Sequence, residues 1–215
     1  MNQKTCAIVA ALSSLASLAS AGQYNIGFRH YTGYEDPADP LAGLSMCVDA
    51  NETEGYVDFT FSLDALSGVG TIKSIWFERP LELGDASDIT SLGQVDLRLG
   101  RGKRNPAGAT GELDWDGTEE RLSRKGGAAN GIDAGESLTV RFEAGEDFFA
   151  GGLAALLSGD ARVAFHLQRL GANAQESAHF VSSGGTPLLT AVPLPSAGLL
   201  AAAGLGVVAG PRRRR

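Results

Sequence analysis

The chain has 215 residues, with 18 Lys and Arg against 25 Asp and Glu and a formal net charge of −7. Setting aside two terminal segments, 1–21 and 192–215, leaves 170 residues, enough for one domain with its own core. That interval carries 13 cations against all 25 acids. A balance of −12 speaks against nucleic-acid binding, which needs a basic face, and suits a soluble surface protein or one that meets cations.

Segment 1–21 reads as a secretory signal peptide. Lys4 gives a positive start, residues 7–18 form a short helical apolar core, and Ala19-Ser20-Ala21 is a small-x-small exit that places signal peptidase cleavage after Ala21. Cys6 has no lipoprotein box before it and leaves with the signal, so Cys47 is the single cysteine of the mature chain and no intramolecular disulfide forms. Nothing around Cys47 would activate a thiol, and it is expected to be a small buried hydrophobe.

Segment 22–191 reads as a run of short strands. Tyr24, Ile26 and Phe28 alternate with polar neighbours and predict a first strand. Residues 34–40 form a loop with two prolines and three acids, and 44–48 a second strand. Over 56–63, Val57, Phe59, Phe61 and Leu63 fall on one face, the clearest half-buried strand in the chain. Over 71–77, Ile75 and Phe77 oppose Ile72 and Trp76, which predicts cover on both faces. Val95, Leu97 and Leu99 predict another strand, followed by a Gly-rich loop over 100–118 with a short strand at 112–115 and a small-residue loop over 126–135. Leu138, Val140 and Phe142 alternate inward. Phe149, Leu153 and Leu156 recur at helical spacing, weakened by Gly151 and Gly152, and predict one short helix or wound loop. Residues 162–170 return to strand, and 178–182 and 188–191 are expected to be the last strands. The sum is an all-β domain, an antiparallel β-sandwich of jelly-roll or Ig-like type with one short helix.

Chemistry-bearing residues are sparse. His166 alternates outward and is expected to face solvent; His179 and His30 show no metal-ligand spacing to it. No nucleophile elbow, zincin motif or phosphate loop occurs, so no catalytic residue is predicted. Two acidic turns suggest calcium as the only conceivable cofactor: Glu35, Asp36 and Asp39, and Asp114, Asp116 and Glu119 within Asp114-Trp115-Asp116-Gly117-Thr118-Glu119-Glu120. The EF-hand spacing fails in both. Trp76 or Trp115, if exposed, would stack on a sugar, although a core position is the commoner fate. Asn51-Glu52-Thr53 matches a glycosylation acceptor and is read as chance.

Segment 192–215 carries three signals in a row. Val192-Pro193-Leu194-Pro195-Ser196 is an extended proline motif, because each proline fixes its own φ and pushes the preceding residue toward extended geometry. The 14 uncharged residues 197–210 would rise about 21 Å as a helix, against a bilayer core of about 30 Å, which makes a marginal transmembrane helix. Arg212, Arg213, Arg214 and Arg215 are too costly to drag through lipid, so they hold the end in the cytoplasm and leave the preceding domain outside.

This three-part pattern resembles the PEP-CTERM sorting tail in its VPLPA-like form, with Leu194 where the common form has Glu. The resemblance covers about 24 residues and implies an exported bacterial protein. Such a protein passes transiently through the inner membrane, is handled by an exosortase-like membrane protease near the proline motif, and is delivered to the envelope or an exopolysaccharide matrix. Leu194-Pro195-Ser196-Ala197-Gly198 is also similar to the sortase motif, but Ala197 stands where that motif needs Thr, and this reading ranks lower. The passage from Phe142 through the wound segment to the strand beginning Arg162-Val163 more softly resembles domains found ahead of such tails. The expectation is therefore a cell-surface or matrix protein with a structural or adhesive role, not an enzyme. A surface-displayed carbohydrate-binding module is the alternative, and a secreted hydrolase ranks third.

Overall fold

A computed structural model describes residues 21–33, 43–64, 70–100, 105–107, 113–124, 130–170 and 174–188. The signal helix over 1–20, the acidic turn with Glu35, Asp36 and Asp39, and the whole tail from Val192 to Arg215 lie outside the described residues. Among the described residues no helix is long and apolar enough to cross a membrane.

The described chain is mostly antiparallel β-structure. In order it forms β1 (Ala21–Gly33), β2 (Leu44–Asn51), β3 (Tyr56–Leu63), β4 (Thr71–Glu78), β5 (Leu83–Leu92), β6 (Leu97–Leu99), β7 (Thr118–Arg124), β8 (Ile132–Asp133), β9 (Ser137–Ala144), the short helix α1 (Leu153–Ser158), β10 (Val163–Leu170) and β11 (Glu176–Pro187). These 11 described strands belong to one sheet, ordered β5-β9-β3-β2-β1-β11-β10-β4-β7-β6, with β8 on β4.

The sheet curls on itself. Four strands separate β3 from β4 in the ladder, yet the Phe59 and Phe77 rings meet edge to face with centroids 5.1 Å apart. Phe61 reaches Phe165 of β10 at 5.6 Å, and Phe77 reaches Phe142 of β9 at 4.9 Å. Each of these phenylalanines is fully buried, and burying such a ring stabilises by about 1.5–3 kcal/mol. Period-2 alternation supplies them, since every second side chain of β3 is buried.

Bulges produce the bending. On β11, Ser183 and Gly184 oppose the single residue Gly27 of β1; on β1, Tyr31 is the extra residue between His30 and Thr32. Gly184 has φ +106, and a Cβ there would press on the Leu157 carbonyl of α1 at 2.8 Å. A wound segment, a π-turn over Phe148–Gly152 and then α1, closes one end and inserts Phe148 and Leu156 into the core.

Several expectations are corrected. The strand predicted at 44–48 runs on to Asn51, and 178–182 is part of one long strand ending at Pro187. No strand forms over the described residues 113–115; the strand of that region is β7, whose Thr-Glu-Glu-Arg-Leu-Ser-Arg sequence holds one apolar residue and no alternation. β5 was equally illegible, because it is a sheet edge exposed along most of its length. Ile72 does not share the Trp76 face: Lys73 is a bulge residue between the pairs Ile72–Leu167 and Ser74–His166, which returns Ile72 to the core. Cys47 is half-buried rather than a core residue, because it alternates with buried Met46 and Val48 and so points to the other face.

Candidate functional site

The outer face of β1, β11, β10, β4, β7 and β6 carries the imidazoles of His166 and His179, whereas His30 lies opposite core Phe180. The register sets residues side by side across it. One row runs Thr32–His179–His166–Ser74–Ser123–Arg98, one residue from each strand. At about 4.8 Å per strand this row spans about 24 Å. A second row runs Arg29–Val181–Ala164–Trp76–Arg121.

The imidazoles of His166 and His179 lie parallel, 4.3 Å apart and 7° from coplanar orientation. Tyr31 and Trp76 flank His179 at 5.9 and 6.4 Å, and the Arg121 guanidinium lies 5.3 Å from the Trp76 ring centroid. His166 is therefore not the solvent-facing residue that alternation predicts. It points away from the core as expected, but its stacked neighbour half-buries it.

Burial pushes the His166 pKa down to about 4, aided by His179, Lys73, Arg124 and Arg121 nearby. Burial also lowers the His179 pKa, with His30 contributing, and raises that of the Tyr31 phenol. Lys73 is held below the usual ammonium range by burial and by Arg124 and Arg121. Among the described residues, Trp76 Nε1 and Tyr31 OH on this face, and His30 Nε2 on the core side, are buried without a hydrogen-bond partner. A buried donor or acceptor left unpaired costs about 1–3 kcal/mol.

A roof covers one flank of this face. Glu78, 1 % exposed, receives the Arg162 guanidinium in a two-pronged pair at 2.9 and 2.6 Å. Arg162 also donates to the carbonyls of Leu113 and, at 2.7 Å, Asp114, while the Asp116 N–H donates to Glu78 at 2.9 Å. Glu78 thereby holds the Arg162 pKa above its ordinary range. The clamp lays Leu113 and Trp115 onto Trp76, Ala164 and Val181, making a small second core. Trp115 donates its indole N–H to Thr118 Oγ1 at 3.2 Å. Trp76 and Trp115 are 5 % and 8 % exposed, so neither indole offers a flat face for sugar stacking.

Of the calcium-type residues in this turn, Asp114 and Asp116 use backbone groups in the clamp, and Glu119 accepts the Leu83 N–H at 3.0 Å. Among the described residues no group of three or more His, Cys, Asp or Glu is arranged to hold a metal ion. Other carboxylates are also engaged: Asp58 with Arg141 at 2.8 and 2.7 Å, and Glu136 with the N–H groups of Gln94 and Asp133. Burial and Asp49 raise the Cys47 thiol pKa, the wrong direction for a nucleophile.

An open depression of about 480 Å³ lies between α1, β1 and β11, lined by Asn25, Ile26, Gly27, Leu157, Gly184 and Gly185 among others. Among the described residues no ionisable side chain lines it. The cationic outer face was legible only in fragments, since Lys73, Arg121, Arg124, His166 and His179 come from four strands that only the register brings together. No protein-family model, curated protein or solved structure matches this chain.

Proposed function

We propose that the chain is an exported protein, sorted through a PEP-CTERM-like tail, whose β-domain has a structural or adhesive role at the cell surface or in the extracellular matrix and performs no catalysis. The observation that carries this reading is the sequence of proline motif (Val192, Pro193, Leu194, Pro195, Ser196), apolar segment and arginine stop (Arg212 to Arg215), which begins five residues after β11 ends at Pro187. The front end supports it. β1 opens at Ala21, and cleavage there leaves its ladder with β2 intact from the Gly22–Ala50 pair onward.

The curled sheet fits a sandwich whose layers are β5-β9-β3-β2 and β11-β10-β4-β7-β6, with bulged β1 as the turning strand. Mass spectrometry of the chain ends, on material from native cells, tests the sorting reading. The expected mature chain begins at Gly22 and ends near Pro195. Cytosolic material retaining both Met1 and Arg215 would overturn it.

A further inference from the structure

We infer that the free edge of β5 is a self-association site, at which the Asp88–Leu92 stretches of two copies of this chain pair antiparallel about a twofold axis through Thr90.

The edge is open. β5 ends the sheet, and among the described strands it pairs with β9 alone. Residues 87–92 are exposed one after another, whichever face they point to, so this edge is uncovered. Ile89 and Ser91 stand opposite Val140 and Leu138 of the core, yet Ile89 is 36 % exposed; Leu92, on the outer side, is 68 % exposed. A strand edge in water presents a row of unpaired N–H and C=O groups, and what satisfies such a row is another strand.

The edge is also unprotected. Sheet edges are commonly blunted by shortness, by bulges, or by charged side chains and prolines. At the other end of the sheet, β6 has 3 residues and carries Arg98, paired with Asp96. In β5 both register shifts fall before Asp88. From Asp88 to Leu92 each residue faces one residue of β9, and the stretch holds no Lys, Arg or Pro. Its one charge, Asp88, lies opposite Arg141.

The sequence of the stretch points to a second copy as the partner. Asp-Ile-Thr-Ser-Leu, laid antiparallel on itself with Thr90 at the centre, sets Ile89 opposite Ser91 and Asp88 opposite Leu92 of the other copy. The two Asp88 residues then lie four residues apart along the strands, about 14 Å, beyond the screening length of about 8–10 Å. Centring on Ile89 halves that separation, and centring on Asp88 sets the two carboxylates face to face. Only the Thr90 register uses all of the regular stretch. It makes the two Ile89 side chains diagonal neighbours, each covering the other's exposed flank. It also continues the row Thr60–Thr139–Thr90, whose first two hydroxyls are 2.9 Å apart, into the same row of the second copy. A twofold pairing closes on itself, so it yields dimers and not fibres. One short strand pair buries little area, which places the contact in the weak, transient class.

The test uses the purified full chain in mild detergent, followed by analytical ultracentrifugation up to millimolar concentration. The expected result is a reversible monomer–dimer equilibrium that tightens as salt screens the net charge of −7 on each copy. Thr90→Lys sets two lysines face to face on the axis and should weaken the dimer about tenfold. Its thermal melt should match the parent's, because Thr90 is an exposed edge residue. With Cys6 and Cys47 replaced by Ser, Thr90→Cys should oxidise to a disulfide-linked dimer, because facing Cα atoms lie about 4.5–5.5 Å apart. Leu92→Cys, also exposed but about 14 Å from its counterpart, should not. A chain that stays monomeric throughout overturns the assignment and leaves the edge to a strand of another protein. A dimer that Thr90→Lys leaves unchanged, or Leu92→Cys linking as readily as Thr90→Cys, overturns it as well. None of these readouts depends on where the chain is sorted.

Discussion

Glu78 and His166 illustrate how differently a buried charge and a buried imidazole behave on one sheet face. Glu78 is almost sealed, and its carboxylate survives because Arg162 and the Asp116 N–H satisfy it. Removing one partner strands the other, so Glu78→Ala is expected to cost about 3–5 kcal/mol in urea unfolding. It should also red-shift tryptophan emission as the clamp over Trp115 opens. An unshifted spectrum with a loss well under 1 kcal/mol would show that the roof stands without the clamp. For His166 the sign runs the other way. Its folded pKa, about 4, lies below the 6.5 of the unfolded chain, so on acidification the unfolded state takes up the proton first. Stability is expected to fall as pH drops from 6.5 toward 4, and His166→Gln should flatten that part of the urea-midpoint profile.

At the scale of elements, β3 and β5 mark the two extremes of the sheet. β3 is central and contributes Phe59, which touches Phe61, Phe77 and Phe142; Phe59→Ala should cost about 3–5 kcal/mol. Among the described strands β5 pairs with β9 alone, and its amides are expected to exchange with deuterium well before those of β3. Gly152 is a point of close approach, since a Cβ there would collide with the Leu81 carbonyl. Gly152→Ala should therefore destabilise by about 1–3 kcal/mol despite its better helix propensity, as a thermal melt would show.

These extremes also explain what could be read beforehand. β3, β9 and β10 announce themselves because one face is dry and period 2 follows directly. β5 and β7 have too little buried area to imprint a pattern, so Asp85, Ser87, Asp88 and Thr90 look like loop residues. Bulges at Tyr31, Lys73 and Glu119 shift the alternation by one residue, and no composition signal marks them. The imidazole pair escaped for a related reason: His166 and His179 are 13 residues apart in sequence and meet only through the β10–β11 register.

For the whole molecule, the described chain begins and finishes at one pole. Tyr24 of β1 lies opposite Pro187 of β11, and the Leu188 N–H donates to the Gln23 carbonyl at 2.7 Å. Thr32, opposite His179, sits eight residues further along β1, about 26 Å away at the usual rise of an extended strand. A molecule suspended from its last strand would therefore hold the stacked imidazoles and their neighbouring cations away from whatever surface it hangs on, like the lamp end of a pendant, turned toward the surrounding medium.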